Sequence, residues 1–277
     1  MLASPSQWIA IGEQLGLHAW PLFLGLLLLA TCTTGGITAW LAHGGPAPSD
    51  TSQPVRSGFL QRLGPRVVGS FALLLFTAAV FSGIARLLGD GGTLQLADEA
   101  LSRTVATRAP AAALAAFGWL THFGEPLVLT VLGVAVAGLL WRSAHRGLAL
   151  GWVAAVGGNA VLNPLLKQVF ERARPLHLDI ATPAQGFSFP SGHSSGAMVT
   201  YGMLAYLAWR LLPPRWHVAA AMGATAVILT TAASRVFLRV HFASDVVAGL
   251  CSGAAWLVLC IASIAFARRR GERRAAA

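Results

Sequence analysis

Long apolar runs alternate with short polar connections along this chain. The runs at 17–42, 66–89, 115–141, 147–169, 195–212, 217–238 and 244–267 each approach or exceed the ~20 residues with which a helix crosses bilayer hydrocarbon. The pattern predicts seven transmembrane helices. Residues 43–65, rich in Gly, Pro and Ser, read as a polar connection. One shorter stretch behaves differently. Leu94, Ala97, Leu101 and Val105 recur at helical spacing, with Gln95, Asp98, Glu99, Ser102 and Arg103 between them. That is the pattern of a helix lying on a membrane surface. We read it as a connecting helix, with a gate for lipid entry as the alternative.

Composition agrees with the pattern. Hydrophobic residues make up 55% of the chain and charged ones 11%, which excludes the ordinary soluble globular class and indicates an integral membrane protein. The net charge of +10 does not point to nucleic acid, because most of the basic residues lie in connections between apolar runs. If the spans alternate, Arg56, Arg62, Arg66, Arg142, Arg146, Arg210, Arg215 and the tail residues Arg268, Arg269, Arg270, Arg273 and Arg274 fall on one side. By the positive-inside rule that side is the cytoplasm, and the N-terminus is outside. Residues 1–41 contain no Lys or Arg, so the first run is not read as a secretory signal. Cys32, Cys251 and Cys260 lie within apolar runs without metal-type spacing and read as small buried hydrophobes.

Three polar clusters remain, all at outer ends of spans. The first is Ser234 to Asp245, where Arg235, His241 and Asp245 interrupt apolar sequence. Charges at that depth are costly unless paired or facing water, so they mark a candidate site. His241 and Asp245 are four residues apart at a helix start, a spacing that lets the carboxylate reach the imidazole and fix its ring. In the second cluster Lys167, Glu171 and Arg174 are spaced to share a helical face until Pro175 ends the element. Glu171 and Arg172 read as a local ion pair or interfacial anchors. The third is Phe189 to His193, in which Ser191 can cap a helix and Gly192 lets backbone amides approach an anion.

The basic residues Lys167, Arg172, Arg174, Arg235 and Arg239 break the topological bias, and anion binding supplies a reason for them. The clusters offer cations and amides for phosphoryl oxygens, a carboxylate-oriented histidine as nucleophile, and a second histidine as proton donor. The nearby aspartates are read as Asp179 and Asp245 only, and Asp245 has a partner. No metal cage and no cofactor are expected.

Taken in chain order, the clusters resemble the type-2 phosphatidic acid phosphatases, which share their site with the vanadium haloperoxidases. The family pattern is Lys, six residues, Arg-Pro; then Pro-Ser-Gly-His; then Ser-Arg, five residues, His, three residues, Asp. It is met by Lys167, Arg174-Pro175, Pro190 to His193, and Ser234-Arg235 with His241 and Asp245. The resemblance implies an all-α polytopic membrane bundle, a six-helix phosphatase core at 66–267. Residues 1–65 then hold one extra transmembrane helix and a cytoplasmic linker, and 268–277 an Arg-rich cytoplasmic tail. It also implies that Lys167, Arg174, Ser191, Gly192 and Arg235 hold phosphate. His241 is the implied nucleophile, forming a phosphohistidine, with Asp245 as its orienter and His193 as acid.

The expected activity is metal-independent hydrolysis of a membrane lipid phosphate at the outer face of the membrane. Undecaprenyl diphosphate is the lead substrate; phosphatidic acid and phosphatidylglycerophosphate are the alternatives. A vanadate-dependent haloperoxidase or a non-catalytic lipid transporter are the competing classes. Oligomeric state is left open.

Overall fold

A computed structural model describes residues 4–44, 65–89, 92–175 and 186–275. The connection carrying Arg56 and Arg62, Asp179, and residues 182–185 lie outside the described residues. Ten α-helices are described, and no strand is among the described residues: α1 (Pro5–Leu17), α2 (Ala19–Gly44), α3 (Pro65–Gly89), α4 (Thr93–Arg108), α5 (Ala111–Leu120), α6 (Pro126–Arg142), α7 (Arg146–Phe170), α8 (Gly192–Leu211), α9 (His217–Phe237) and α10 (Ala243–Ala275). The all-helical class follows from the chemistry of the solvent, since within hydrocarbon each backbone amide must find its partner inside its own segment.

Five helices, α2, α3, α7, α9 and α10, are long and apolar enough to span a membrane. The expected span at 115–141 is not one straight helix. It is α5, a short 3₁₀ turn at Thr121–Gly124, and α6, bent by 45°. Glu125 is extended and Pro126 opens α6, so the ring of a proline at the first helical position sets the new direction. The expected span at 195–212 corresponds to α8, which falls short on apolarity. Ser194, Ser195, Gly196 and Thr200 on it are buried, so its polar residues face neighbouring helices.

Small residues let the helices approach closely, as membrane packing requires. A Cβ on Gly202 would lie 2.4 Å from Leu257, and one on Gly158 would lie 2.3 Å from the Trp256 ring. Trp256 Nε1 donates to the Ala155 carbonyl at 2.9 Å, and the fully buried Trp152 donates to that of Gly133 at 2.8 Å. Leu140, Leu148, Met203, Leu207 and Ile264 fill the core around Trp152.

The N-terminal helices pack onto this body. In α1, Ser4 and Gln7 form a capping box and Pro5 occupies the first turn. Gly12 and Gly16 bring α1 against α4 so tightly that a Cβ at Gly12 would sit 2.2 Å from the Ala97 carbonyl oxygen. Trp20 and Phe23 of α2 join Phe117 and Phe237 in an aromatic cluster whose ring centroids are 4.6 to 6.1 Å apart. Lower down, Gly35 meets Met222, and the Thr225 hydroxyl donates to that of Thr34 at 3.3 Å. All three cysteines are free; Cys260 is buried as expected, whereas Cys32 is exposed.

Candidate active site

The site lies where α7 and α9 end and α8 and α10 begin. Chain reversal puts these four termini at one end of the bundle, and Arg142, Arg146, Arg210 and Arg215 at the other. After α9 the backbone amides of Val240 and His241 both donate to the Arg235 carbonyl, at 3.1 and 3.2 Å. This turn passes through Arg239 in a left-handed conformation, φ 54°, and carries the His241 ring into the protein, where it is 3% exposed. Asp245, in the first turn of α10, reaches back to accept the Phe242 amide at 2.9 Å, as an acidic third residue does in a helix cap.

That reach sets the ring. Asp245 Oδ2 stands 3.5 Å from His241 Nδ1, and the Ser188 hydroxyl bridges the two, donating to Asp245 and lying 3.4 Å from Nδ1. On the opposite edge Arg174 Nη1 lies 3.1 Å from His241 Nε2. A guanidinium only donates, so Nε2 carries the lone pair and Nδ1 the proton. Burial pushes His241 down to about 4, with Arg174 adding to the effect and Asp245 opposing it. At neutral pH the ring is uncharged, and its basic nitrogen faces the cations.

The cations rest on oxygen acceptors around that nitrogen. Lys167, at the end of α7, donates to the carbonyls of Phe187 and Ser188. Arg174 donates to the carbonyls of Gly186 at 3.0 Å and Val240 at 2.7 Å. Burial lowers its guanidinium from the ordinary value and Asp245 opposes that. Arg235 donates to the Thr121 hydroxyl. His193 lies close enough to Arg235, His241, Arg174 and Lys167 to interact with each electrostatically. Its ring packs against Gly124, where a Cβ would fall 3.0 Å from His193 Cδ2. Ser191 is the N-cap of α8: its amide donates to the Asp245 carbonyl at 2.9 Å, and its hydroxyl accepts from the Ser194 hydroxyl at 2.9 Å. A Cβ on Gly192 would press to 3.0 Å from Asn163 Oδ1.

All eight expected site residues therefore converge on one end of the bundle, although two local readings fail. Helix α7 stops at Phe170, and Glu171 caps it in a left-handed conformation, φ 44°. The helical face expected to run from Lys167 through Glu171 is cut short, and Arg174 stands on non-helical backbone as Pro175 requires. Nor is Arg172 a local partner of Glu171 or an interfacial anchor. It is buried, with Nη1 2.6 Å from Asp245 Oδ1 and Nη2 2.8 Å from Asp98 Oδ2. Asp98 thus joins the aspartates near the site, from helix α4. Burial raises its pKa, while Arg172 and Ser244 hold it down.

Sequence reasoning also passed over Ser188, Asn163, Thr121 and Gly124. Each acts by touching the site from a distant part of the chain, which no local spacing signals. Among the described residues, no group of three His, Cys, Asp or Glu is placed to hold a metal ion.

A bundle of apolar helices with phosphate-type anion donors and a neutral, carboxylate-backed imidazole at one end defines a membrane phosphatase class. The comparisons agree. The model of the PAP2 superfamily matches residues 147–269. Phosphatidylglycerophosphatase B of Bacillus subtilis (strain 168) is 35% identical over 173 residues, 58% of this chain and 79% of that protein. Lipid A 1-phosphatase of Rhizobium etli is 36% identical over 141 residues, 46% of this chain and 56% of that protein. Decaprenylphosphoryl-5-phosphoribose phosphatase of Mycolicibacterium smegmatis is 34% identical over 138 residues, 47% and 67% of the two chains. The crystal structure of the transmembrane PAP2 type phosphatidylglycerolphosphate phosphatase from Bacillus subtilis superposes with a TM-score of 0.61 at 28% identity, covering 70% of this chain and 94% of that one. The chain belongs to the PAP2 superfamily, and it is a multi-pass membrane lipid phosphatase.

Proposed function

We propose that the enzyme removes a terminal phosphate from a membrane lipid at the outer face of the membrane, without a metal ion, through a phosphohistidine at His241. The observation that carries this reading is the polarity of the His241 ring: Nδ1 toward Asp245, and a basic Nε2 3.1 Å from an Arg174 donor. The lone pair of Nε2 attacks phosphorus in line. As the N–P bond forms, the bond from phosphorus to the lipid oxygen breaks, and His193 gives that oxygen its proton. Lys167, Arg174, Arg235 and the amides near Gly192 hold the three equatorial oxygens, where charge develops. Water then cleaves the N–P bond and inorganic phosphate leaves.

The orientation rests on the arginines at the opposite helix ends, and the core on residues 66–267. Undecaprenyl diphosphate remains the lead substrate, since an outward-facing site suits recycling of a cell-wall carrier lipid. Phosphatidylglycerophosphate is the second reading, favoured by similarity over most of the length of phosphatidylglycerophosphatase B.

The test is turnover of undecaprenyl diphosphate, phosphatidylglycerophosphate and phosphatidic acid by the purified chain in detergent, with acid-labile phosphate trapped on the protein during the reaction. Trapped phosphate that disappears in His241→Gln is the expected result. Turnover that survives that substitution would overturn the mechanism, and the substrate turned over fastest decides among the lipids.

A further inference from the structure

Asp98 has no place in the mechanism above, yet it is among the most deeply buried charged groups of the molecule, 4% exposed. It comes from α4, the amphipathic helix outside the apolar spans. Its two oxygens are fully engaged: Oδ1 accepts the Ser244 amide at 3.2 Å, and Oδ2 accepts Arg172 Nη2 at 2.8 Å and the Ser244 hydroxyl. Arg172 in turn gives Nη1 to Asp245 Oδ1 at 2.6 Å and to the Ser244 hydroxyl at 2.7 Å, while its guanidinium lies 4.3 Å over the Phe242 ring.

We propose that Asp98 is a positioning residue: it holds the Arg172 guanidinium so that Asp245 is anchored by Oδ1 and presents Oδ2 to His241. The assignment rests on His241 being the nucleophile. The geometry supports a division of labour between the two oxygens of Asp245. Oδ1 belongs to Arg172, and Oδ2 belongs to Phe242, Ser188 and the imidazole. With two carboxylates sharing one guanidinium, Asp245 keeps enough negative charge to support an imidazole that becomes cationic on phosphorylation. Without the Asp98 charge, the whole pull of Arg172 falls on Asp245, and its other edge is free to turn.

The N-terminal helix enters the same chain of contacts. Gly12 of α1 lies flush on the Ala97 carbonyl, the residue before Asp98, so α1 presses α4 into place. The extra N-terminal segment is thereby coupled to the nucleophile through α4, Asp98, Arg172 and Asp245.

The experiment uses the full chain in detergent and compares Asp98→Asn, Arg172→Gln and the double variant with His241→Ala as reference, on an aryl phosphate and a lipid phosphate. Inorganic phosphate and vanadate serve as inhibitors. Phosphate reads the cationic cradle alone, whereas vanadate also needs a correctly aimed Nε2. Asp98→Asn keeps the shape and should lower kcat about 10- to 100-fold, as loss of an outer partner of an oriented group commonly does. KM and phosphate inhibition should stay within about threefold, and vanadate inhibition should weaken about tenfold or more. Because the two residues act as one unit, the double variant should be no worse than Arg172→Gln.

If Asp98→Asn does not fold, the double variant decides, since it removes one positive and one negative charge together and leaves the net charge of the buried cluster unchanged. It must show the same kcat loss with phosphate inhibition retained. A wild-type kcat in either variant, losses that multiply in the double, or phosphate and vanadate inhibition weakened equally would overturn the proposal. If His241→Ala itself retains turnover, the nucleophile assignment has failed instead.

Discussion

The two sides of the His241 ring are built on opposite principles. On the Nδ1 side every charge has a counter-charge: Asp98 and Asp245 share Arg172, with Ser188 and Ser244 supplying hydroxyl donors. On the Nε2 side the cations donate to neutral oxygens, the carbonyls of residues 186–188 and 240 and the Thr121 hydroxyl, while Asp245 and Glu125 act on them electrostatically. A closed network of buried charges is rigid, and disrupting it leaves an unsatisfied charge in low dielectric. A hydrogen bond to a neutral dipole does not cancel a cation's charge, which stays available to an incoming anion. On the proposed mechanism the first side positions and the second binds.

The ring between the two sides gives the largest expected effect. His241→Ala should lower kcat by more than about 10⁴-fold on lipid and aryl phosphates alike, since no nucleophile remains. Stopped-flow release of an aryl product would show no burst. Appreciable turnover would mean that the two sides do not meet at a nucleophile.

Next comes His193→Ala. It should cost about 10²–10⁴-fold on a lipid monophosphate, whose alkoxide needs a proton, and recover appreciably on an activated aryl phosphate. A diphosphate lipid, with an acidic leaving phosphate, should fall between. If dephosphorylation limits the mutant, recovery appears as a burst of aryl product. Equal damage on every substrate without a burst would remove the acid role.

Arg235→Ala tests the binding side. We expect about 10²–10³-fold lower turnover together with weaker inhibition by inorganic phosphate, which separates it from a change on the positioning side. Loss of turnover with phosphate inhibition unchanged would contradict the division drawn here.

Smaller again is the pH effect. His241 must be neutral to attack, and its value lies near 4 because burial outweighs Asp245. The acid limb of kcat/KM, corrected for substrate ionisation, should therefore fall as pH drops through about 4 rather than through the ordinary imidazole range near 6.5. A limb near 6.5 would show that burial does not depress the ring's value. Chelation should have no effect, because the cradle is made of side chains and amides. Activity lost in a chelator and restored by Mg²⁺ would break that reading.

Much was legible in the chain itself, because period and composition answer directly to the bilayer. Apolar length predicted the all-helical class, and the spacing of His241 and Asp245 anticipated a carboxylate behind the ring, since four residues at a helix start is a local geometry. The amphipathic period of Leu94, Ala97, Leu101 and Val105 predicted α4, which runs from Thr93 to Arg108. What stayed hidden was non-local. Asp98 and Arg172 are 74 positions apart, and no periodicity relates an interfacial helix to the residue after a helix cap.

Sequence by itself determined the helical class, most of the apolar spans and the residues nominated for the chemistry, because hydrophobic length, proline position and charge type are properties of short segments. Tertiary structure alone decided that Arg172 turns inward to join Asp98 and Asp245, and that α1 packs against α4. Each of these depends on which surfaces meet in a packed bundle, and a buried charge is set by the partners the fold brings to it.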